Sequence, residues 1–120
     1  MILTFLESPY AEDVRRNLAY VRACLRDSLG RGEAPLASHA LWIQPGVLDD
    51  AITEQRRIGM EAGFAWATHA QRLVFYLDFG WSNGMTIGLT RAKKSQAHIR
   101  TRTLGLPWSA ITASDAELSR

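Results

Sequence analysis

Cysteine is nearly absent from this sequence of 120 residues, which contains only Cys24, so no disulfide can form within the chain. No apolar run is long enough to span a membrane, and residues 1–6 lack the basic region that begins a secretion signal. We therefore expect a soluble protein of the reducing cytoplasm. Cys24 falls inside a helical pattern, where it is more often a small core residue than a nucleophile.

Metal-ligand spacing is also missing. The three histidines, His39, His69 and His98, are far apart in the sequence and form no zinc-binding pattern with Cys24. The Gly-x-Gly-x-x-Gly spacing of dinucleotide-binding turns is absent as well. The sequence therefore predicts no metal site and no cofactor.

Charge of one sign is not concentrated in any part of the chain. The 14 basic and 12 acidic residues leave a formal net charge of +2. Four arginines are spaced like the solvated face of a helix: Arg15, Arg16, Arg22 and Arg26. A nucleic-acid groove is therefore not favoured, because such a groove needs clustered basic residues.

Short apolar runs alternate with helical patterns along the chain. Strand patterns lie at residues 2–6, 34–37, 73–77 and 97–104, the last typical of an edge strand. Helical patterns lie at residues 11–29, 48–67 and 84–94. This alternation predicts one α/β domain over residues 1–107, a Rossmann-like or flavodoxin-like parallel sheet of about four to five strands with helices on both faces. Residues 108–120 form a polar C-terminal tail.

The predicted helices carry signals of packing and capping. The first helix has one apolar stripe, formed by Val14, Leu18, Val21, Leu25 and Leu29. Asp49 or Asp50 is expected near the start of the second helix, and Ser82 is the expected N-cap of the third. Gly59 and Gly63 share one face of the second helix, where they permit close packing.

Ligands of open parallel sheets bind beyond the carboxyl ends of the strands, near the point where the strand order reverses. This rule selects Ser8, Pro9 and Tyr10, which lie between the first strand and the first helix. A helix N-terminus suits phosphate, and Tyr10 adds a flat ring or a hydroxyl. A helix cap followed by a hydrophobic contact explains the same residues, and the sequence leaves both interpretations open.

The loop after the central strand is the stronger candidate. Asp78 at the strand end suits a ribose hydroxyl, Trp81 suits a base, and Ser82 with the following N–H groups suits a phosphate. Gly84 and Met85 complete the expected contact surface. An ordinary loop in which Ser82 only caps the helix is the alternative. His39 follows the second strand and is a further ligand candidate, although a loop histidine is more often structural or exposed.

Carboxylates determine whether an enzyme is possible. Glu54 and Glu61 are seven residues apart on one predicted helix face, and Asp50 precedes Glu54 by four. Paired acids can support glycosidic cleavage. A solvated face with ion pairs to Arg56 and Arg57 is the more frequent explanation of such a pattern.

Several runs together resemble one known family. They are Ser8-Pro9-Tyr10 after the first strand, Asn17 in the first helix, the Pro35 to His39 stretch, and Ser82-x-Gly84-Met85 after a Val-Phe-Tyr-Leu-Asp strand. Their order over residues 2–104 is similar to the nucleoside 2-deoxyribosyltransferase-like family, and closest to its small bacterial and phage branch. The resemblance implies a Rossmann-like, often oligomeric protein. Characterised members break or exchange N-glycosidic bonds of nucleosides or nucleoside monophosphates through a nucleophilic glutamate.

The chain departs from that family where the nucleophile would stand. The family's helix after the central strand begins with an acid-x-Gly-Thr-x-x-Glu pattern. Here the acid is replaced by Ser82 and the nucleophile by Gly88, which cannot form a glycosyl ester. A run beginning at Glu61 resembles part of the pattern but precedes the central strand.

We therefore expect a protein that binds a nucleotide- or nucleoside-derived ligand, such as a phage or bacterial protein that sequesters a nucleotide signal, and that forms a homodimer or larger homo-oligomer. The alternative is an N-glycosidic hydrolase or transferase acting on nucleosides or nucleoside monophosphates, with Asp78, Glu7 or Glu61 as its carboxylate. A third possibility is a scaffold whose tryptophans serve protein contacts. The expected ligand-binding residues are Ser8, Pro9, Tyr10, His39, Asp78, Trp81, Ser82, Gly84 and Met85.

Overall fold

Four parallel strands form the centre of the structure, a computed structural model that describes residues 1–105 and 107–108. They are β1 (Ile2–Glu7), β2 (Glu33–Leu36), β3 (Arg72–Tyr76) and β4 (Ile99–Arg102), in the spatial order β2-β1-β3-β4. The chain adds β2 on one side of β1 and β3 on the other. The strand order therefore reverses between β1 and β3, and β4 is an edge strand as the sequence predicts.

Helices cover both faces of the sheet, which confirms the predicted α/β fold. The four helices within the described residues are α1 (Val14–Gly30), α2 (Ser38–Leu41), α3 (Thr53–Ala67) and α4 (Asn83–Lys94). Side chains alternate between the faces along each strand. Leu6, Val74 and Tyr76 pack with α1, whereas Phe5, Leu73 and Phe75 pack with Met85 and Ala92 of α4.

The buried face of α1 differs from the predicted stripe. Val14 and Leu29 are exposed. The buried residues instead include Asn17, Tyr20, Val21, Cys24 and Ser28. The polar residues at the two ends turn inward because each makes hydrogen bonds that the apolar pattern could not reveal. Cys24 is a buried core residue, as expected.

Helix α3 begins at Thr53, five residues after the predicted start at Leu48. The side chain of Asp49 accepts a hydrogen bond from the Ala51 N–H, and the Asp49 N–H donates to Gln55. These bonds form a turn instead of a helical cap. The expected close packing of α3 is confirmed, since a Cβ at Gly63 would lie 3.4 Å from Phe5 Cζ.

Helix α4 and the segment after β4 define the far side of the cleft described below. Ser82 is the N-cap of α4 and accepts a hydrogen bond from the Met85 N–H at 3.2 Å, as predicted. Of the expected C-terminal tail only Trp108 is described, and it packs against the core beside Leu104. Residues 109–120 lie outside the described residues. No helix in the described part of the chain is long and apolar enough to cross a membrane.

A buried ionic cluster connects β2 with the rest of the sheet. Glu33 is fully buried and accepts hydrogen bonds from Ser28, Arg72 and Arg102 at 2.6–2.7 Å. The Arg102 guanidinium is the main reason that the pKa of Glu33 is lowered to about 2. Arg102 also donates to the Tyr76 hydroxyl, which donates to Asp27 of α1. The cluster holds β2, β3, β4 and α1 in one arrangement.

Candidate functional site

A cleft of about 480 Å³ opens at the carboxyl ends of β1 and β3. The β1–α1 loop, α2, α3 and the β3–α4 loop border it. This is the position where the strand order reverses, and it is where open parallel sheets bind their ligands. Every predicted ligand-binding residue except Asp78 borders the cleft: Ser8, Pro9, Tyr10, His39, Trp81, Ser82, Gly84 and Met85.

Asp78 belongs to the framework of the domain. Its carboxylate accepts hydrogen bonds from the Tyr20 hydroxyl at 2.5 Å and from the backbone N–H groups of Leu104 and Gly105 at 2.9–3.0 Å. These bonds hold the segment after β4 against α1. The expectation that Asp78 contacts a ribose or acts in catalysis therefore lacks the necessary geometry.

Glu61 is also away from the cleft. It lies exposed on α3 and pairs with Arg91 of α4 at 3.3 Å, while the Arg91 guanidinium lies 4.0 Å above the Phe64 ring. Glu54 is likewise exposed and pairs with Arg57. The acids of α3 thus form surface ion pairs, which is the alternative that the sequence left open.

Glu7 is the remaining candidate carboxylate, and it borders the cleft. It ends β1 on the face that carries α3 and α4, and its carboxyl lies against the Cα of Gly88 in α4. A Cβ at position 88 would lie 2.9 Å from Glu7 Cδ and would overlap Oε2. The carboxyl of Glu7 therefore occupies the space that a side chain at position 88 would fill.

The environment of Glu7 favours its protonated form. Burial raises the pKa of Glu7 to about 8, because desolvation penalises the charged carboxylate. Among the described residues, no hydrogen bond or ion pair to the Glu7 carboxyl offsets this effect. At neutral pH the group is mainly a neutral acid that faces the cleft with a proton to donate.

Ser8 and His39 connect the β1–α1 loop with α2. Ser8 Oγ and His39 Nε2 share a hydrogen bond of 2.8 Å. Burial lowers the pKa of His39 to about 4, so the imidazole is neutral at pH 7. The Tyr10 ring meets the imidazole edge-on with centroids 6.4 Å apart. These contacts fix the three loop residues that the sequence singled out.

Asn17 organises the same loop from below. It is fully buried, and its Nδ2 donates to the carbonyl oxygens of Tyr10 and Ala11 at 2.9 and 3.0 Å. Its Oδ1 accepts from Nε and Nη2 of Arg16 at 3.1 and 3.0 Å. The Arg16 guanidinium also lies 3.9 Å above the Phe79 ring.

Arg16 consequently borders the cleft, which differs from its expected place on a solvated helix face. The helix expected from Ala11 begins at Val14, so Arg16 lies in its first turn beside the loop. Sequence reasoning also missed the contributions of α3, including Arg56, Gly59 and Met60. No local pattern marks them, because only the packing of α3 on β1 brings them to the cleft.

The family comparison covers all of this geometry. The sequence matches the domain of unknown function DUF7768 over residues 2–102, from the start of β1 to the end of β4. The chain belongs to the DUF7768 family. No curated protein matches the chain. Every element that borders the cleft of this DUF7768 domain lies within the matched residues.

The ionisable groups around the cleft of this DUF7768 domain are of both signs. They are Glu7, Glu12, Arg16, His39, Asp50 and Arg56. In the described ranges, no three His, Cys, Asp or Glu side chains gather as metal ligands would. The cleft therefore combines hydrogen-bonding groups and charges with the flat rings of Tyr10, Trp42 and Trp81.

Proposed function

We propose that this DUF7768 domain binds a nucleoside- or nucleotide-derived small molecule in the cleft. The observation that carries the proposal is the convergence of the β1–α1 and β3–α4 loops at the point where the strand order reverses. The volume of about 480 Å³ suits a small-molecule ligand.

The groups at the cleft match the parts of such a ligand. Tyr10, Trp42 and Trp81 present rings on which a base can stack. Ser82 uses its oxygen to accept from the Met85 N–H, which leaves its hydroxyl hydrogen for a ligand. The N-terminus of α4 beside it suits a phosphate. The resemblance of these runs to the deoxyribosyltransferase-like family supports the nucleoside class, and sequestration of a nucleotide signal is a role consistent with binding alone.

A binding panel tests this proposal. The common ribo- and deoxyribonucleosides and their 5′-monophosphates are titrated by calorimetry against the wild-type protein, Trp81→Ala and Trp66→Ala. Trp66 is exposed on α3 and does not border the cleft, so it is the matched control. We expect Trp81→Ala to weaken the best ligand by roughly 1–3 kcal/mol and Trp66→Ala to leave it unchanged. No binding by any member of the panel, or equal loss in both variants, would contradict the proposal.

The position of Glu7 favours a second candidate function, hydrolysis of an N-glycosidic bond. The neutral Glu7 carboxyl would give its proton to the departing base as the C–N bond breaks, with the electron pair going to the base nitrogen. A water molecule would add to the sugar carbon, and its proton would restore Glu7. No covalent intermediate at Gly88 is involved.

Release of free base separates this second function from binding alone. We expect Glu7→Gln to bind ligand but to release no base, because an amide keeps the shape and hydrogen bond of the acid without its transferable proton. Glu61→Gln is the matched control, since Glu61 is exposed and away from the cleft. Chromatography of the reaction mixtures gives the answer: a wild-type protein that binds its ligand and releases no base is a binding protein only.

A further inference from the structure

We propose that Arg16 binds an anionic group of the ligand, so that the cleft selects a phosphorylated nucleoside over the unphosphorylated one. This inference rests on the proposed binding of a nucleoside-derived ligand. Arg16 is in the first turn of α1, on the cleft side, and its guanidinium lies against the ring of Phe79 in the β3–α4 loop. It thus joins the two loops that form the cleft.

The guanidinium of Arg16 is held in place without being neutralised. Asn17 Oδ1 accepts from its Nε and Nη2, and the Phe79 ring supports its face. Among the residues that the structure describes, no carboxylate pairs with it. Arginine carries five N–H donors in a rigid plane, so Nη1 and one hydrogen of Nη2 are left for an acceptor. A positioned, unneutralised cation at a ligand cleft is suited to bind phosphate oxygens.

The buried amide of Asn17 makes this arrangement specific to the site. The same side chain donates to the carbonyls of Tyr10 and Ala11. The position of the Arg16 charge is therefore coupled to the position of the β1–α1 loop. A donor that is already ordered loses less conformational entropy when the ligand binds.

Arg56 is the other cation at the cleft, and it is the weaker candidate. It borders the cleft from α3, but its side chain makes no hydrogen bond or ring contact within the described part of the chain. The acids at the cleft rim, Glu12 and Asp50, oppose an anion, whereas Glu7 is mainly neutral near pH 7. Phe79 belongs to the loop that leads to Ser82, so Arg16 and the N-terminus of α4 act along the same loop.

Calorimetry with matched ligands and matched arginines tests the inference. The probes are each nucleoside 5′-monophosphate of the panel and the corresponding nucleoside. The proteins are wild type, Arg16→Gln, Arg16→Lys and Arg15→Gln; Arg15 is exposed on α1 and does not border the cleft. We expect Arg16→Gln to weaken the monophosphate about tenfold to a hundredfold, the loss of a charged hydrogen bond. The nucleoside should lose little affinity, and Arg15→Gln should behave as wild type.

The remaining outcomes each decide something. Arg16→Lys keeps the charge but loses the planar donors, so we expect it to recover part of the monophosphate affinity. Equal loss for nucleoside and monophosphate in Arg16→Gln would overturn the inference, because Arg16 would then only hold the loop. Equal loss in Arg16→Gln and Arg15→Gln would overturn it as well, in favour of general electrostatics. A folded wild-type protein that binds neither probe would overturn the proposed function itself.

Discussion

At the scale of single residues, Glu7 and Gly88 depend on each other. The acid at the end of β1 lies against α4 only because position 88 has no side chain. The resemblance assigns a nucleophilic glutamate to position 88, and the carboxyl of Glu7 fills that space from another element. The presence of glycine at position 88 therefore has a steric reason on the opposite side of the cleft.

Gly88→Ala should reverse its sign according to the residue at position 7. With Glu7 present, the new methyl group overlaps the carboxyl, and we expect a loss of roughly 1–3 kcal/mol in unfolding free energy. With Glu7→Ala the space is free, and the better helix former should add roughly 0.5–1 kcal/mol. Urea unfolding of the four proteins in this cycle measures the coupling. Gly84→Ala is the control, because nothing lies within 4 Å of its Cβ position. Additive effects of the two substitutions would show that the residues are not in contact.

The pKa of Glu7 has a consequence for stability. The folded-state pKa of about 8 exceeds the ordinary value of 4.5, so the folded protein keeps a proton that the unfolded chain releases in this interval. Stability therefore falls as pH rises from about 4.5 to about 8. Glu7→Gln removes this effect, and we expect it to be more stable than wild type by roughly 1–3 kcal/mol at pH 8 and similar at pH 4. Denaturant unfolding at both pH values checks this, with Glu54→Gln as the exposed control.

At the scale of the elements, buried polar side chains position the loops and the strands. Asn17 ties the β1–α1 loop to α1, Asp78 ties the segment after β4 to α1, and Glu33 ties β2 to β3 and β4. Each works through hydrogen bonds to residues far away in the sequence. The walls of the cleft are therefore rigid because of polar contacts beneath them as well as the apolar core.

The Glu33 cluster should govern the response to acid. The folded-state pKa of Glu33, about 2, lies below the ordinary 4.5, so its contribution is fully present above pH 4.5 and is lost as pH falls toward 2. Glu33→Ala leaves Arg102 and Arg72 without their acceptor in a largely buried site, and we expect a loss of roughly 3–5 kcal/mol at pH 7. The difference from wild type should shrink near pH 3. A difference that is the same at pH 7 and pH 3 in chemical unfolding would contradict this assignment.

At the scale of the whole molecule, the domain leaves several large apolar side chains exposed. They include Leu3, Leu41, Val47, Ile52, Ile58 and Trp66. A small domain that exposes many such residues commonly buries some of them in a homo-oligomer.

We expect the protein to be a homodimer or larger closed oligomer in solution. Light scattering should give at least twice the chain mass of 13.4 kDa at micromolar concentration. Trp66→Lys should then shift the mass toward the monomer if α3 lies in the interface. A monomer mass for the wild-type protein would reject this expectation.

The sequence by itself determined the order of the elements, the parallel sheet and the two loops that meet at the cleft. Local patterns were sufficient because strand ends, the Ser82 cap and turn residues act over a few positions. They could not show that Asp78 is consumed by Tyr20 and the segment after β4.

Only the tertiary structure decided which charged residues reach the cleft. Arg16 and Arg15 are neighbours with the same chemistry, yet one stacks on Phe79 and the other does not border the cleft. Glu7 and Glu61 are both glutamates, and one is buried against Gly88 while the other pairs with Arg91 at the surface. The physical reason is that desolvation and charge pairing depend on contacts between residues distant in the sequence, which no local pattern contains.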